Sequence, residues 1–406
     1  MTEAVIVAAA RSPIGRAGKG SLRDVRPDDL LETIARAALG QVPALDPAEI
    51  DDVYIGCARP HGEQGSNLAR RLAVQLGLDG VPGTTINRFC SSSVQTTRMA
   101  FHAIRAGEGD VFLAGGVESV SRYDAAARSP GGEGTENPRF DEARERTART
   151  AQDNTTWADP RADGLLPDVD IAMGQTAENV ATSRGISRRA QDEFGVRSQQ
   201  LAEQAIAAGF YAREITPVTL PDGTVVATDD GPRAGTTYEK VSQLEPVFRP
   251  DGTITAGNCC PLNDGAAALV VMSDRRAAEL AITPLARVVA TGVTALSPEI
   301  MGLGPVEASR QALRRAGMTI GDIDLVEINE AFAAQVIPSA DDLGIDDDRL
   351  NVHGGAIALG HPFGMTGARI TVTLRNGLRA RDATFGLETM CVGGGQGMAM
   401  IVERLS

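Results

Sequence analysis

The same run of segments occurs twice in this chain, and that repetition limits the possible folds more than any other feature. Ile50-Asp51-Asp52-Val53-Tyr54-Ile55 is echoed by Ile323-Asp324-Leu325-Val326-Glu327-Ile328. Asp110-Val111-Phe112-Leu113-Ala114-Gly115-Gly116 is echoed, at nearly the same spacing, by Asp382-Ala383-Thr384-Phe385-Gly386-Leu387-Glu388. Ala4-Val5-Ile6-Val7-Ala8-Ala9 and Ala286-Arg287-Val288-Val289-Ala290-Thr291 each open a half. One match is chance; three in one order indicate a duplicated unit. In the first half, short apolar runs alternate with helical periodicity. Strands are predicted over 4–10, 50–56 and 110–116, and helices over about 27–40, 67–76 and 94–106. That alternation specifies an α/β layered fold with mainly parallel pairing. Each half would supply one wall of a site between them, with Cys90 opposite the His361-Pro362-Phe363 loop.

The texture changes between the halves. Residues 122–170 are charged and rich in Gly, Pro and Asp. Helical spacing returns over 173–184 and 187–209, followed by a small hairpin around Pro221-Asp222-Gly223. A stretch this long without regular structure points to a functional insert. The expected organisation is therefore a first half at 1–121, completed by about 251–275. An inserted region spans 122–250 and a second half spans 276–406.

Charge narrows the function classes. A net charge of −14 argues against nucleic acid or an anionic membrane as partner, so any anionic ligand must be held by local arginines and helix N-termini. No stretch of about 18 apolar residues suggests a membrane span. The first residues read as a strand, not a secretion signal, and Glu403-Arg404-Leu405-Ser406 is not a peroxisomal address. Five cysteines, an odd number, suggest reduced thiols and a cytoplasmic location. They are not at metal-ligand spacing with the four histidines, so no metal site is expected.

Chemistry concentrates in five segments. Ile86-Asn87-Arg88-Phe89-Cys90-Ser91-Ser92-Ser93 joins a turn-rich stretch to the helix that follows. At such a junction free N–H groups and the helix dipole favour a thiolate. A nucleophile and a buried structural cysteine are both compatible with that segment alone. The second half contributes Thr255 to Ala268, Asn329 to Gln335, Asn351 to Gly367 and Cys391 to Gly397. Glycines there flank His361, a proton acceptor, and Cys391, a second thiol. Glycine-rich loops can bring backbone N–H groups up to developing negative charge.

In combination these segments resemble the thiolase family of acetyl-CoA acyltransferases, in motif order and spacing, from Ala4 to Glu403. The similar motifs are Asn-Arg-x-Cys-x-Ser around Cys90, Asn329-Glu330-Ala331-Phe332, the Gly-Gly-x-Ile-Ala-Leu-Gly-His-Pro run ending at Pro362, and Cys391-Val392-Gly393-Gly394-Gly395-Gln396-Gly397. The resemblance implies two βαβαβαββ halves in αβαβα layers, with an inserted loop domain covering coenzyme A. It implies that Cys90 carries the acyl group as a thioester. His361 would activate Cys90 and line one oxyanion hole, and Asn329 would hold a water there. Cys391 would handle the proton on the acetyl carbon, and the N–H groups of Cys90 and Gly393 would form a second hole. Met173, Arg233, Phe248, Cys260, Ala331 and Phe332 would contact the CoA side.

The chain departs from the family pattern at Ala172, where short-chain biosynthetic thiolases commonly carry His, and at Cys260-Pro261, where Ser-Gly is common. His353 stands where Asn is common and is expected on a surface loop. The smaller Ala172 favours a longer or bulkier acyl chain. The resemblance thus implies thiolytic cleavage of 3-ketoacyl-CoA to acetyl-CoA and a shortened acyl-CoA, in a β-oxidation-like route. No cofactor would be bound permanently; CoA and acyl-CoA would be substrates. A homodimer or homotetramer is implied. The alternatives are acetoacetyl-CoA synthesis by the same site in reverse, and an inactive thiolase-like lipid-binding scaffold.

Overall fold

The computed structural model describes residues 2–122 and 137–406. Residues 123–136, part of the expected insert, lie outside the described residues. The first half runs β1 (Ala4–Arg11), α1 (Pro27–Gly40), β2 (Asp52–Gly56), α2 (Leu68–Gln75), β3 (Gly83–Ile86), α3 (Ser92–Ala106) and β4 (Val111–Ser119). The insert contributes α4 (Asp141–Asp153), α5 (Met173–Arg184) and α6 (Arg188–Ala207), and a short hairpin pairs Val218–Thr219 with Val225–Val226. Then follow β5 (Asn263–Ser273), β6 (Ala286–Ala295), α7 (Gly304–Ala316), β7 (Leu325–Ile328), α8 (Ala333–Leu343), α9 (Thr366–Ala380), β8 (Phe385–Val392) and β9 (Gln396–Arg404). The periodicity did not reveal α4, because its sequence is polar all round apart from the buried Ala143.

The strands form one sheet in the order β7-β8-β9-β6-β1-β5-β4-β2-β3, with Gly15–Arg16 pairing beside β5. The two echo strands meet at its centre: β1 pairs antiparallel with β6, Val5 against Arg287 and Ile6 against Ala286. Outward from that join both halves repeat one order, β1-β5-β4-β2-β3 and β6-β9-β8-β7. Where the counterpart of β3 should stand, the second half has only a bridge between Val326 and Leu350. Helices α3 and α9 lie in the middle, sharing a core that includes Val94, Ile104, Ile370 and Leu374 with residues from strands of both halves. Helices α1 and α2 cover the outer face of the first half, and α7 and α8 that of the second. The result is the five-layered αβαβα arrangement.

The expectation of mainly parallel pairing is corrected. β2–β3, β2–β4 and β7–β8 are parallel, but β1–β5, β4–β5, β8–β9, β6–β9 and β1–β6 are antiparallel. In the second half the last two strands are joined directly as a hairpin, and in the first half the insert between them leaves the same antiparallel neighbours. The alternation rule holds only for strands joined through a crossover helix. Strands β4 and β5 are buried along their whole length, which is why they read as continuous apolar runs.

Candidate active site

The Cys90 turn is strained and held from several sides. Strand β3 delivers Asn87-Arg88-Phe89-Cys90, and a single 3-10 turn, Phe89–Ser91, leads into α3. Phe89 has φ +42°, a left-handed conformation that costs a bulky residue energy and persists only where neighbours enforce it. Asn87 Oδ1 accepts the Phe89 N–H at 2.8 Å, and Asn87 Nδ2 donates to the Ala58 carbonyl at 3.1 Å. Ser92 Oγ accepts the Arg88 N–H at 2.9 Å and donates to the Phe89 carbonyl at 2.7 Å. The Arg88 guanidinium donates to Gln396 Oε1 at 2.7 Å, tying this turn to the glycine loop of the other half. The result is a cysteine aimed into a cleft by its neighbours.

His361 is equally constrained. Its ring is almost wholly buried, and the His361 backbone N–H donates to Asn263 Oδ1 at 2.9 Å. Thr366 Oγ1 lies 2.7 Å from Nδ1 and gives its own proton to the Pro362 carbonyl at 2.8 Å. Thr366 therefore accepts from Nδ1–H, which leaves Nε2 unprotonated. Asn329 Nδ2 donates to that Nε2 at 3.2 Å. Burial, and then the Arg369 charge, lower the His361 pKa to about 3. The resting imidazole is neutral, with one acceptor nitrogen facing Asn329.

The loop that carries His361 fits the first half through a glycine contact. A Cβ on Gly116 would come within 2.0 Å of the Gly364 carbonyl, so the end of β4 admits no side chain. The adjacent Glu118, buried at the same strand end, was not identified from sequence. Its carboxylate accepts from Ala58 N–H at 2.8 Å, Arg59 N–H at 3.1 Å, Gln64 Nε2 at 2.7 Å and Gly364 N–H at 2.9 Å. It clamps the two halves together beside Cys90. An acidic residue inside the apolar run Val111 to Val120 was the available signal.

Cys391 is the penultimate residue of β8, fully buried, and the three glycines after Val392 form the turn into β9. Gly394 and Gly395 have φ of 73° and 81°, which only glycine adopts at low cost. The Gly393 backbone donates to the Cys90 sulfur, and Cys391 lies close enough to Cys90 for a charge there to oppose its ionisation. Burial pushes Cys391 well above the ordinary thiol range.

The helix end and the free N–H groups favour a Cys90 thiolate, but burial opposes it. Burial dominates: despite hydrogen bonds from Gly393 and its own backbone, the thiol is pushed up from 9.0 to about 12. That disfavours the thiolate by about 4 kcal/mol. A helix terminus returns only about 0.3–1 kcal/mol. Thiol and imidazole are both neutral at rest. Iodoacetamide labelling of Cys90 should accelerate steadily from about pH 6 to about pH 10, because thiolate is the nucleophile and its fraction rises tenfold per pH unit below the pKa. An inflection between about pH 5 and 8 would show instead a preformed thiolate–imidazolium pair.

A cavity of about 390 Å³ opens onto Cys90 and Gly393, and Met173 and Ala172 line it with Phe363. Behind it Met173, Phe248, Cys260, Ala331, Phe332 and Cys391 pack in one apolar cluster. The Cys260 N–H donates to the Ala331 carbonyl at 3.0 Å. Arg233 is exposed on a second cavity of about 270 Å³, together with Arg16 and Lys240, which sequence reasoning missed. Among the described residues, no acidic one lines that cavity. His353 lies in a turn, as expected, but half-buried, with its ring stacked on Phe210 at 3.7 Å between centroids.

Residues 4–275 match the thiolase N-terminal domain and residues 282–404 the thiolase C-terminal domain. The chain is 42% identical to a 3-ketoacyl-CoA thiolase of Saccharophagus degradans, over 99% of this chain and 98% of the relative. It is 44% identical to the 3-oxoadipyl-CoA/3-oxo-5,6-dehydrosuberyl-CoA thiolase of Escherichia coli, over the full length of both. The crystal structure of the Bacillus anthracis acetyl-CoA acetyltransferase superposes with a TM-score of 0.87 at 39% identity, covering 100% of this chain and 99% of that one.

Proposed function

Because this chain belongs to the thiolase family, we propose that it works in the degradative direction, cleaving 3-ketoacyl-CoA to acetyl-CoA and an acyl-CoA two carbons shorter. The observation that carries the reading is the convergence of Cys90, the Gly393 N–H and Cys391 with the Asn329–His361 pair at the seam of the two halves. In the first step His361 Nε2 takes the Cys90 proton and the sulfur attacks the 3-keto carbon. The N–H groups of Cys90 and Gly393 stabilise the resulting oxyanion. The bond between carbons 2 and 3 then breaks, leaving an acyl thioester on Cys90 and an acetyl-CoA enolate. His361 and a water held by Asn329 receive the enolate oxygen, and Cys391 protonates its carbon. Free CoA attacks the thioester and releases the shortened acyl-CoA. The raised pKa of Cys391 suits a proton donor that must stay protonated at neutral pH.

Coenzyme A is expected along the Met173, Phe248 and Phe332 cluster, with its phosphates toward Arg16, Arg233 and Lys240. In an acidic chain, three cations lining a cavity with no carboxylate among the described residues are a local exception suited to phosphates. The small Ala172 and the size of the Cys90 cavity favour a substrate longer than acetoacetyl-CoA, and so the degradative reading over the biosynthetic one. We place the enzyme in the cytoplasm on its free cysteines, and as a homodimer or homotetramer, with β3 at the sheet edge available for pairing. The domain reading stays as residues 1–121 with 251–275, an insert at 122–250, and 276–406.

Mass spectrometry after incubation with 3-ketoacyl-CoA should show an acyl adduct on Cys90, and its absence would sink the reading. Rates that are fast only for the four-carbon substrate would favour the biosynthetic direction. The Cys391→Ala variant should still acylate at Cys90 but exchange the α-proton of acetyl-CoA at least about 100-fold more slowly. Normal exchange in that variant would remove Cys391 from its role.

A further inference from the structure

We propose that a cavity at the join of the two halves binds a small organic polyanion, at a site separate from Cys90 and independent of the thiolase reading. Strands β1 and β6 pair only at Val5–Arg287 and Ile6–Ala286. Beyond that pairing, the Ala9 N–H donates to Gln41 Oε1 at 3.2 Å, and the Ala9 carbonyl accepts from Gln41 Nε2 at 2.9 Å. A cavity of about 240 Å³ opens there against the C-terminal half of α9. Arg213 of the insert and Arg375 and Arg379 of α9 line it, and among the described residues no acidic side chain does. It shares no lining residue with the Cys90 cavity or with the Arg233 cavity. Helix α9 begins at Thr366, beside the His361 ring, and Arg375 lies about 14 Å further along its axis.

These arginines lack counter-charges. The Arg213 and Arg379 side chains are exposed and have no hydrogen-bond or ion-pair partner among the described residues. Arg375 donates from Nη1 to Asn376 Oδ1 at 3.1 Å and from Nη2 to the Ser406 carbonyl at 3.2 Å, but its Nε is buried without a partner. A buried donor left unpaired costs free energy that a ligand oxygen restores. Arg375 and Arg379 also stand one helical turn apart, where like charges repel. Burial, and then the charges of Arg379 and Arg404, hold the Arg375 guanidinium below its ordinary range. The end of α9 favours a cation, which accounts for Arg379 but not for Arg213 or the buried Nε. Two carboxylates behind the wall do not supply the missing charge. Glu214, which Asn376 reaches at 3.3 Å, is ion-paired with Arg11 at 2.8 Å. Glu388, bonded to Thr371 at 3.1 Å, is pushed by burial toward its neutral form. Gln41, Thr371 and Asn376 thus spend their polar groups within the protein, and the guanidiniums remain as the donors. The apolar lining, with Ile6, Leu285 and Val372, suits a short carbon skeleton. The volume is below the ~300 Å³ at which drug-sized sites begin, so the ligand is small. A net charge of −14 repels anions, so retention needs several ligand charges engaged at once. The guanidinium fork matches carboxylate and phosphate alike.

Isothermal titration calorimetry of the full-length protein at low salt tests this with citrate, glycerol 3-phosphate and inorganic phosphate. Citrate or glycerol 3-phosphate should bind with a Kd below about 1 mM, more tightly than inorganic phosphate, and more weakly as salt is raised. The tighter of the two tells a carboxylate ligand from a phosphate ester. The Arg213→Gln/Arg379→Gln double variant should bind that probe at least about tenfold more weakly, through the loss of charge-assisted hydrogen bonds. Both side chains are exposed and partnerless, so the variant should fold. Should it not, each single variant is held to a loss of about threefold. Excess CoA should leave the binding unchanged. The inference is overturned if neither organic probe binds, if inorganic phosphate binds as tightly, or if the variants lose less than stated. Displacement of the probe by CoA also overturns it, because the probe then sits in the Arg233 cavity.

Discussion

Cys90→Ala is expected to lower thiolysis by at least about 10⁴-fold, with no acyl adduct on the protein, while the fold is retained. The magnitude follows from the loss of a covalent route, which no neighbouring group can replace. Cys391 is a neighbouring thiol, but burial and the proximity of Cys90 hold it protonated. Cys260 is pushed up for the same reason, with Cys259, Cys90 and Cys391 adding to the effect. The fold should survive because the substitution removes one sulfur from a site already bordered by a cavity. Assay of the purified variant by loss of the 3-ketoacyl-CoA absorbance, with circular dichroism as the folding control, gives the answer. Residual activity within about 100-fold of wild type would mean that another group carries the acyl chain.

His361→Asn is expected to reduce kcat about 10³-fold or more, and to slow both acylation of Cys90 and its thiolysis by CoA. In the proposed mechanism one nitrogen serves twice: Nε2 takes the thiol proton, and once protonated it donates to the enolate oxygen. General-base loss alone is about 10²–10⁴-fold, and loss of one oxyanion donor about 10²–10³-fold. The two do not simply multiply, because they act through the same ring. The histidine is poised by three contacts, Thr366 at Nδ1, Asn329 at Nε2 and Asn263 at its backbone, and asparagine reproduces only the last. Single-turnover measurements should show slow acylation first. A wild-type acylation burst in the variant would restrict His361 to the later steps or remove it from the chemistry.

Much of the site was legible in the chain before its structure. Cys90, Asn329, His361, Cys391 and Gly393 each sit in a short segment of distinctive residues, and a motif is local in sequence. Other positions carried no such mark. Glu118 matters because Ala58, Arg59, Gln64 and Gly364 all direct donors at one carboxylate, and Gly364 is far away in the chain. Arg16 and Lys240 join Arg233 only because separated loops converge. Helix α4 lacked an apolar stripe, and the pairing of β8 with β9 broke the parallel rule drawn from alternation.

The amino-acid order by itself determined the duplicated α/β architecture and the reactive residue types, because periodicity and motif spacing are written along the chain. Only the tertiary structure decided the state of those residues. A helix terminus read from sequence argued for a Cys90 thiolate; folding buried the sulfur and made the thiol the resting form. Desolvation depends on everything packed around a group, here α3, the His361 loop and the Gly393 turn, and no stretch of sequence contains that sum.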